Sequence, residues 1–370
     1  MPVARKWAYF DHAAVAPLSG PASQAISKWQ QQAAEEGDTC WLEWAKQLTN
    51  CRNLAGQMIG VSPAEIALLP NTTVGINLVA EGLDWRPGDN VVTLADEFPT
   101  NLYPWMNLAC RGVETRLVAT NEGRVTAAEI DARCDSRTRV VSVSWVGFRS
   151  GCRRELNSIS EVAHRHGALF VVDAIQGLGV FPLDARQTEI DVLSADGHKW
   201  LLGPEGAAVA YVRQSCLERL APLGVGWNSV VQGGNFDHIE LKLKPTAARY
   251  EGGTYNMAGF LGLGASIELL LALGIENLSA AILDFTDQAC ERLRELGAVV
   301  YSPREGDSRS GIVSFELPGQ DPQQIRKDCL AGGVALNCRG GRLRLSAHAY
   351  NNAADLERLA EVLRRDLLAA

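Results

Sequence analysis

Lys199 is the residue in this chain whose surroundings most clearly indicate chemistry. It lies within Leu193–Gly206, between a histidine and a tryptophan, after an apolar run and before a glycine-rich turn. Upstream, the apolar run Phe170–Val172 ends in Asp173. A lysine amine forms a Schiff base with the aldehyde of pyridoxal 5'-phosphate (PLP), and a carboxylate against the pyridine nitrogen keeps the ring protonated. The pair therefore indicates a PLP enzyme, whereas a lone His-Lys dipeptide is usually a surface loop.

Asn71–Gly75 follows an apolar strand candidate and opens a helix. Free backbone N–H groups and hydroxyls at a helix N-terminus bind phosphate readily. Thr72 and Thr73 are therefore predicted to bind the cofactor phosphate. Taken alone, a threonine at a helix start is usually a simple cap, so this prediction depends on Lys199.

Two further side chains follow strand candidates. Phe98 comes after the strand candidate Asn90–Leu94 and can stack on a planar cofactor ring. Gln176, three residues after Asp173, is close enough to donate a hydrogen bond to the cofactor's phenolic oxygen. Plain packing for the phenylalanine and a solvated loop for the glutamine are the alternatives. Because ligands of open parallel sheets bind at the carboxyl ends of the strands, these residues are predicted to meet at one edge.

Apolar strand candidates alternate with helical patterns through the first part of the chain. The predicted strands are Ile66–Leu69, Asn90–Leu94, Glu114–Val118, Arg139–Ser144, Ala168–Val172, Val192–Ser194 and Ala207–Val212. Capping-box spacings predict a brief helix after Ser62 and another over Ser158–His166, with Ser158 and Glu161 as its box. Near-continuous Val, Ile and Leu strands alternating with amphipathic helices predict a mainly parallel sheet covered on both faces.

After Gly252-Gly253 the pattern changes to long helices and few strands. The predicted helices are Leu261–Leu273, Ala280–Leu296 and Ala354–Leu368, with strands near Gly311–Glu316 and Arg342–Ser346. These elements predict a smaller α+β domain. The division we expect is an extended N-terminal arm over 1–14, a large domain over 15–258 and a small domain over 259–370.

Composition describes a soluble globular protein of two domains. The 370 residues exceed one ordinary core, and 46% are hydrophobic and 21% charged. The 35 basic and 43 acidic residues give a formal net charge of −8, without a run of five or six like charges. This pattern argues against a nucleic-acid groove and a polybasic membrane anchor. The most apolar stretch, Phe260–Ile275, is interrupted by Ser266 and Glu268 and is too short to span a bilayer.

Nine cysteines include no CxxC pair, and no apolar signal-peptide region precedes them. Reduced thiols in a cytoplasmic protein are expected, most of them packed as small hydrophobes. Their spacing does not indicate a metal site.

The chain resembles the class V aminotransferase family of fold-type I PLP enzymes, which includes cysteine desulfurases, isopenicillin N epimerase and kynureninase. The motifs that carry the resemblance are NTTVGINLVAEGL, DEFPTNLYPW, VVDAIQGLG, DGHKWLLGPEG, RYEGGTYN and LRLSAHAYN. They extend from Tyr9 to Asn351, nearly the whole length. The resemblance implies the fold-type I architecture, with a mostly parallel seven-stranded sheet in the large α/β domain and a smaller C-terminal α+β domain.

The resemblance also implies a role for each motif residue. Lys199 holds the cofactor as a Schiff base, and Asp173 pairs with the pyridine nitrogen. The other cofactor contacts it implies are Gln176 at the phenolic oxygen, His198 and Thr73 at the phosphate, and Phe98 in the ring-stacking position. Lys199, once freed by the substrate, then acts as general base on the α-proton.

Arg344 matches the arginine that holds the substrate carboxylate in relatives, a task suited to a fork-shaped guanidinium. An outward-facing strand arginine is the alternative. Thr254 matches a threonine that reaches the phosphate in the neighbouring subunit. The resemblance therefore implies a homodimer with two shared sites.

Several positions depart from the cysteine desulfurases. They carry histidine where Phe98 stands, serine where Asp196 stands, and asparagine at the position of Phe148. An acidic residue beside a phosphate is repelled, so Asp196 is expected to turn away, capping the next turn or binding His198. Desulfurases also carry their nucleophilic cysteine on a longer loop, whereas this chain has only the tight turn after Cys338, which is expected to be packed.

The sequence leaves the reaction open. An α-amino acid substrate and class V aminotransferase-like chemistry are expected first, with a desulfurase or a kynureninase- or epimerase-type enzyme as the alternative. A non-enzymatic PLP carrier is disfavoured by Lys199 and Arg344. A nicotinamide oxidoreductase is disfavoured because Gly262-Leu263-Gly264 lacks the third glycine of a dinucleotide-binding loop.

Overall fold

Strands and helices alternate through most of the chain in the computed structural model, which describes residues 1–368. The strands are β1 (Ala8–Tyr9), β2 (Ile66–Leu69), β3 (Asn90–Leu94), β4 (Glu114–Val118), β5 (Thr138–Ser144), β6 (Leu169–Asp173), β7 (Val192–Asp196), β8 (Ala208–Val212), β9 (Val299–Val300), β10 (Ile312–Glu316), β11 (Val334–Ala335), β12 (Asn337–Arg339) and β13 (Arg342–Ser346). The helices are α1 (Gly20–Glu35), α2 (Trp41–Met58), α3 (Thr72–Gly82), α4 (Tyr103–Asn107), α5 (Ala127–Asp131), α6 (Leu156–Arg165), α7 (Met257–Leu273), α8 (Ile275–Glu295), α9 (Pro322–Ala331) and α10 (Ala353–Leu368).

Seven strands form one large sheet in the order β2-β8-β7-β6-β5-β3-β4. Its neighbours are parallel except for β8, which runs antiparallel to both β2 and β7. Every residue of β3, β6, β7 and β8 is buried, as required when helices cover both faces of a sheet. The predicted mostly parallel, seven-stranded sheet is therefore confirmed.

The predicted strand bounds are close to the observed ones. Strands β2, β3 and β4 have the predicted bounds, and the other four strands of the large sheet differ by one or two residues at an end. The capping box predicted after Ser62 is observed on a short 3-10 turn. The box predicted at Ser158 is wrong, because α6 begins earlier and the carboxylate of Glu155 accepts hydrogen bonds from the amides of Asn157 and Ser158, both at 2.8 Å.

A second, antiparallel sheet follows in the order β12-β13-β10-β9. The N-terminal arm joins this part of the molecule, because β1 pairs in parallel with β11. The arm is not extended throughout, since a 3-10 turn covers Pro2–Arg5. Helix α7 packs against α1 and α2 of the large domain although nearly all of it lies after residue 258. The domain boundary at that residue stays a prediction.

Among residues 1–368, we find no single helix with the length and apolar character needed to cross a membrane. Within these described residues, α7 and α8 taken together meet the criteria of length and composition, and they are bent by 81° at their junction.

Candidate active site

A cavity of about 440 Å³ opens at the carboxyl ends of the large-sheet strands. Ligand pockets typically have volumes of about 300–1,000 Å³. All predicted cofactor and substrate residues except Thr254 line it: Thr72, Thr73, Phe98, Asp173, Gln176, His198, Lys199 and Arg344. A larger groove of about 680 Å³ near Arg153 contains none of these residues. The smaller cavity is therefore the candidate site, because the chemically active groups converge there.

Lys199 and Asp173 reach this cavity from neighbouring strands. Strand β6 ends at Asp173 and pairs with β7, from which the chain continues to Lys199. Lys199 is only 8% exposed, and its burial lowers its pKa against the opposing attraction of Asp173. Burial raises the pKa of Asp173, although the amide of Ile175 donates to its carboxylate at 3.0 Å. A buried amine with a lowered pKa is available as the neutral nucleophile that Schiff-base formation requires.

The ring of Phe98 forms one wall of the cavity beside Lys199. The residue is 41% exposed, and Nζ of Lys199 lies 5.5 Å from the ring centroid. Phe148 packs edge-on against it, with ring centroids 5.2 Å apart and planes at 79°. This packing orients the Phe98 ring, whose exposed surface is suited to stacking on a planar group. The stacking role itself stays a prediction.

The amino end of α3 directs hydrogen-bond donors toward the cavity. The side chain of Asn71 caps this helix, and the amides of Thr72 and Thr73 lie in its first turn, where no intrahelical partner exists. Oγ1 of Thr72 accepts a hydrogen bond from the amide of Asp196 at 2.9 Å. The hydroxyls of Thr73 and Thr100 are hydrogen-bonded to each other, also at 2.9 Å. Free amides with fixed neighbouring hydroxyls suit a phosphate group.

Asp196 lies at the same end of the cavity and faces His198. Its Oδ1 is 3.0 Å from Nδ1 of His198, but the angles do not form a good hydrogen bond. The side chain is buried and lines the cavity. The expected contact with His198 is therefore observed, whereas the orientation of Asp196 relative to a bound phosphate stays a prediction. The backbone of Asp196 is fixed at this end of the cavity, because its amide donates to the hydroxyl of Thr72.

Gln176 is held on both sides of its amide group. Nε2 donates to the carbonyl of Ala13 at 3.0 Å, and Oε1 accepts from the indole of Trp200 at 2.8 Å. The solvated-loop alternative is wrong, because the side chain is buried. One hydrogen of Nε2 remains for a ligand, so the predicted contact with the phenolic oxygen is compatible with this position and stays a prediction.

Arg344 enters the cavity from β13 of the small sheet. It is 2% exposed, and its burial lowers its pKa to about 10. Nη1 donates to the carbonyl of Phe148 at 2.8 Å, whereas Nε and Nη2 have no hydrogen-bond partner in the part of the chain described here. The alternative of an outward-facing strand arginine is wrong. A buried guanidinium with two free donor atoms is suited to hold a carboxylate.

The N-terminal arm supplies a wall of the cavity that sequence reasoning missed. Ala13, Ala14 and Val15 line it, as does Arg339 at the end of β12. The backbone places the arm, because the amide of Ala16 donates to the carbonyl of His198 at 2.7 Å. Hydrophobic periodicity gives no signal for such a short irregular segment.

Thr254 and Cys338 both lie outside the cavity lining. Thr254 is exposed, and its predicted contact with the phosphate of a partner subunit stays a prediction. Cys338 on β12 is 8% exposed, and burial raises the pKa of its thiol. Among residues 1–368, no cysteine lines the cavity.

Comparison with known proteins gives the family. Residues 8–359 match the class V aminotransferase family model. A probable cysteine desulfurase of Methanothermobacter thermautotrophicus is 30% identical over 98% of this chain and 95% of that protein. Among solved structures, the cysteine desulfurase of Thermococcus onnurineus superposes with a TM-score of 0.91 at 24% identity, covering 100% of this chain and 97% of that one.

A second solved neighbour is the cystine C-S lyase C-DES in complex with its product, cysteine persulfide. It has a TM-score of 0.91 at 23% identity and covers 98% of each chain. A variant of C-DES with glycine covalently linked to its PLP cofactor has a TM-score of 0.92, also at 23% identity, over 98% of this chain and 97% of that one. The present chain belongs to the class V aminotransferase family, with the fold-type I architecture and the PLP dependence of that family.

Proposed function

We propose that this protein cleaves the carbon–sulfur bond of L-cysteine or L-cystine and releases the sulfur without first transferring it to a protein thiol. The relative from Methanothermobacter is named a probable cysteine desulfurase, and C-DES is a cystine C-S lyase. These names favour the sulfur-releasing alternative over the transamination that the sequence suggested first.

The observation that carries the proposal is that residues 1–368 contain no thiol positioned to accept sulfur. Cys338 is buried on β12, and β12 and β13 are joined directly by Gly340 and Gly341. Both glycines have positive φ, 60° and 80°, as in a type I′ hairpin turn. Persulfide formation on a protein requires an exposed thiolate of low pKa. The described residues of this hairpin provide neither the exposure nor the low pKa.

Each group of cavity residues has a separate role in the proposed reaction. When bound, PLP supplies an electron-withdrawing ring that stabilises charge at the substrate α-carbon. Asp173 would hold the pyridine nitrogen, and the amides of Thr72 and Thr73 would hold the phosphate. Arg344 would bind the substrate carboxylate through Nε and Nη2. Lys199, whose burial favours the neutral amine, would take the α-proton.

The products distinguish sulfur release from protein-bound transfer. Elimination from L-cysteine consumes one water and yields pyruvate, ammonia and sulfide, and from L-cystine it yields pyruvate, ammonia and cysteine persulfide. Transfer to an enzyme thiol instead yields alanine and leaves the sulfur on the protein. The test is incubation of the holoenzyme with each amino acid, without added thiol, and quantification of pyruvate and alanine by NMR. We expect pyruvate as the product. Formation of alanine together with persulfidated protein would contradict the proposal. Transfer of the amino group to an added keto acid, without pyruvate, would instead favour the transamination hypothesis.

We also propose that the protein acts as a cytoplasmic homodimer. Thr254 is exposed and lies outside its own chain's cavity, which supports a role across a subunit interface. The exposed thiol of Cys110 and the partly exposed thiols of Cys40 and Cys134 are not joined in disulfides, which fits a reducing compartment. Sedimentation velocity measures the oligomeric state, and a Thr254→Val variant with unchanged PLP affinity would remove this residue from the site.

A further inference from the structure

Asp11 on the N-terminal arm is the carboxylate that faces Arg344. Its Oδ1 lies 3.5 Å from Nη2 of Arg344, and neither atom has a hydrogen-bond partner among the described residues. Its Oδ2 accepts a hydrogen bond from Nδ2 of Asn337 at 2.8 Å. Asp11 therefore supplies a negative charge to Arg344 without closing a hydrogen-bonded ion pair.

The backbone fixes this arrangement. The amide of Ser346 donates to the carbonyl of Phe10 at 2.7 Å, and Asp11 and Ser346 form an isolated parallel bridge. The amide of Ala13 donates to Oγ of Ser346 at 2.9 Å. Arg344 precedes Ser346 by two residues on β13, and residues two apart on a strand share a face. The contact between Asp11 and Arg344 is thus set by strand pairing.

The charge of Asp11 has opposite effects on the empty and the occupied site. In the empty site, the negative charge of Asp11 partly neutralises the buried guanidinium of Arg344. An unpaired buried charge would destabilise the fold. A carboxylate that binds at Nε and Nη2 enters the field of Asp11 and is repelled by a like charge. A plain carboxylate carries a full negative charge, whereas an α-amino acid is a zwitterion with no net charge. The repulsion therefore falls mainly on the plain carboxylate.

We propose that Asp11 is a specificity-determining residue, the resident counter-ion of Arg344, which disfavours plain carboxylates and admits α-amino acids. The inference rests on the proposed function only through Arg344 as the carboxylate-binding residue. It does not depend on which bond of the amino acid is cleaved.

Titration of Asp11 gives this role a pH signature. Burial raises its pKa, against the opposing charge of Arg344. The charged and titratable groups that face Asp11 are Arg344 and Arg339 from the small sheet and Tyr9 from the arm. Arg344, whose pKa is about 10, stays protonated near neutral pH, and burial followed by the charge of Asp11 raises the pKa of Tyr9 to about 12. Because its pKa is raised, Asp11 gains a proton at a higher pH than an exposed aspartate does, and a protonated Asp11 no longer repels a carboxylate.

The test uses propionate, a carboxylate without an amino group, titrated into the holoenzyme by calorimetry. At about pH 8 we expect Asp11→Asn to bind propionate roughly tenfold more tightly than the wild type, because one nearby like charge is removed. Asp38→Asn, which removes an exposed carboxylate in a 3-10 turn, should leave the affinity unchanged. The difference between Asp11→Asn and the wild type should narrow as the pH falls, since a protonated aspartate resembles asparagine.

Equal or weaker propionate binding by Asp11→Asn at about pH 8 overturns the inference, as does an affinity ratio that stays constant with pH. Retained binding by Arg344→Ala also overturns it, because propionate would then bind elsewhere. If Asp11→Asn does not fold, Asp11→Ser removes the same charge, and equal or weaker propionate binding by that variant at about pH 8 refutes the role. Propionate contains no sulfur and is not turned over. The propionate result therefore does not depend on whether the pyruvate assay supports the proposed function.

Discussion

Trp200, the residue after Lys199, donates its indole N–H to Oε1 of Gln176 over 2.8 Å. Nε2 of Gln176 in turn donates to the carbonyl of Ala13 at 3.0 Å. The turn that carries Lys199, a wall of the cavity and the N-terminal arm are thus joined by one chain of buried hydrogen bonds. Because Trp200 and Gln176 are both buried, a lost bond leaves a polar atom unpaired.

Trp200→Phe removes the indole donor and keeps an aromatic ring. We expect the free energy of unfolding to fall by about 1–3 kcal/mol, because Oε1 of Gln176 loses its partner without access to water. Urea unfolding followed by circular dichroism measures the change. Trp41→Phe is the matched control, since Trp41 is 40% exposed and its replacement should cost less than about 0.5 kcal/mol. An equal decrease in the free energy of unfolding in the two variants would show that the hydrogen bond between Trp200 and Gln176 does not stabilise the fold.

The sequence predicts the large sheet well because each of its strands is a local apolar run. Such runs predicted the ends of β6 and β7 to within two residues, and the rule that parallel strands share a carboxyl edge then brought Asp173 and Lys199 together. Strands β1 and β11 were missed. Each has two residues, and Ala8 pairs with Val334 across most of the chain, so neither carries a local pattern.

Side-chain direction is the part of the site that the sequence could not supply. Asp196 was recognised as unusual, but the Thr72 hydroxyl that fixes its backbone lies on a different element. Asp11 was not singled out from the sequence, and its contact with Arg344 depends on how the arm pairs with β13. Both contacts join residues far apart in sequence, which no local pattern predicts.

Arg344→Ala should weaken capture of carboxylated substrates. We expect KM for L-cysteine to rise about 30-fold or more, equivalent to about 2 kcal/mol, because truncating a buried charged partner costs 2–5 kcal/mol. Arg342→Ala is the control on the same strand, since Arg342 pairs with Glu122 and Glu316 and does not line the cavity. Steady-state kinetics of pyruvate formation measures both variants. Unchanged KM in Arg344→Ala would remove this arginine from the site.

His348 should make the protein sensitive to acid. It is buried between the rings of Trp200 and Tyr350, and burial lowers its pKa from 6.5 to about 4. The unfolded chain therefore binds this proton more readily than the folded one. Its contribution to stability is complete above about pH 6.5 and is lost as the pH falls toward 4.

His348→Phe should keep the ring stacking and make the free energy of unfolding less dependent on pH in this acidic range. The slope should fall by up to about 1.4 kcal/mol per pH unit. Urea unfolding at several pH values between about 4.5 and 7 measures the slope. Burial also lowers the pKa of His12, to about 3. The unfolding free energy of the variant should therefore still depend on pH to some extent. The exposed His238, changed to Gln, serves as control and should leave the wild-type slope intact. An unaltered slope in His348→Phe would mean that other groups cause the acid sensitivity.

Lys199→Ala should abolish covalent attachment of PLP. The purified variant should show no cofactor on the protein by mass spectrometry after borohydride reduction, because the Schiff-base amine is gone. Turnover should fall by roughly 10²–10⁴-fold or more, since the same amine is the proposed general base. Lys28→Ala, which removes a lysine from an exposed ion pair with Glu43, should match the wild type in both measurements. A borohydride-stable adduct on Lys199→Ala would refute the assignment of this lysine.

Cys338→Ser tests whether sulfur passes through the protein. We expect pyruvate formation from L-cysteine to be unchanged, because the thiol is buried on β12 and does not line the cavity. Cys110→Ser is the matched control for an exposed thiol and should also leave the rate unchanged. Mass spectrometry of each protein after turnover detects the gain of a sulfur atom. Complete loss of turnover in Cys338→Ser, together with a sulfur adduct on the wild type that the variant lacks, would establish protein-bound transfer and contradict direct release.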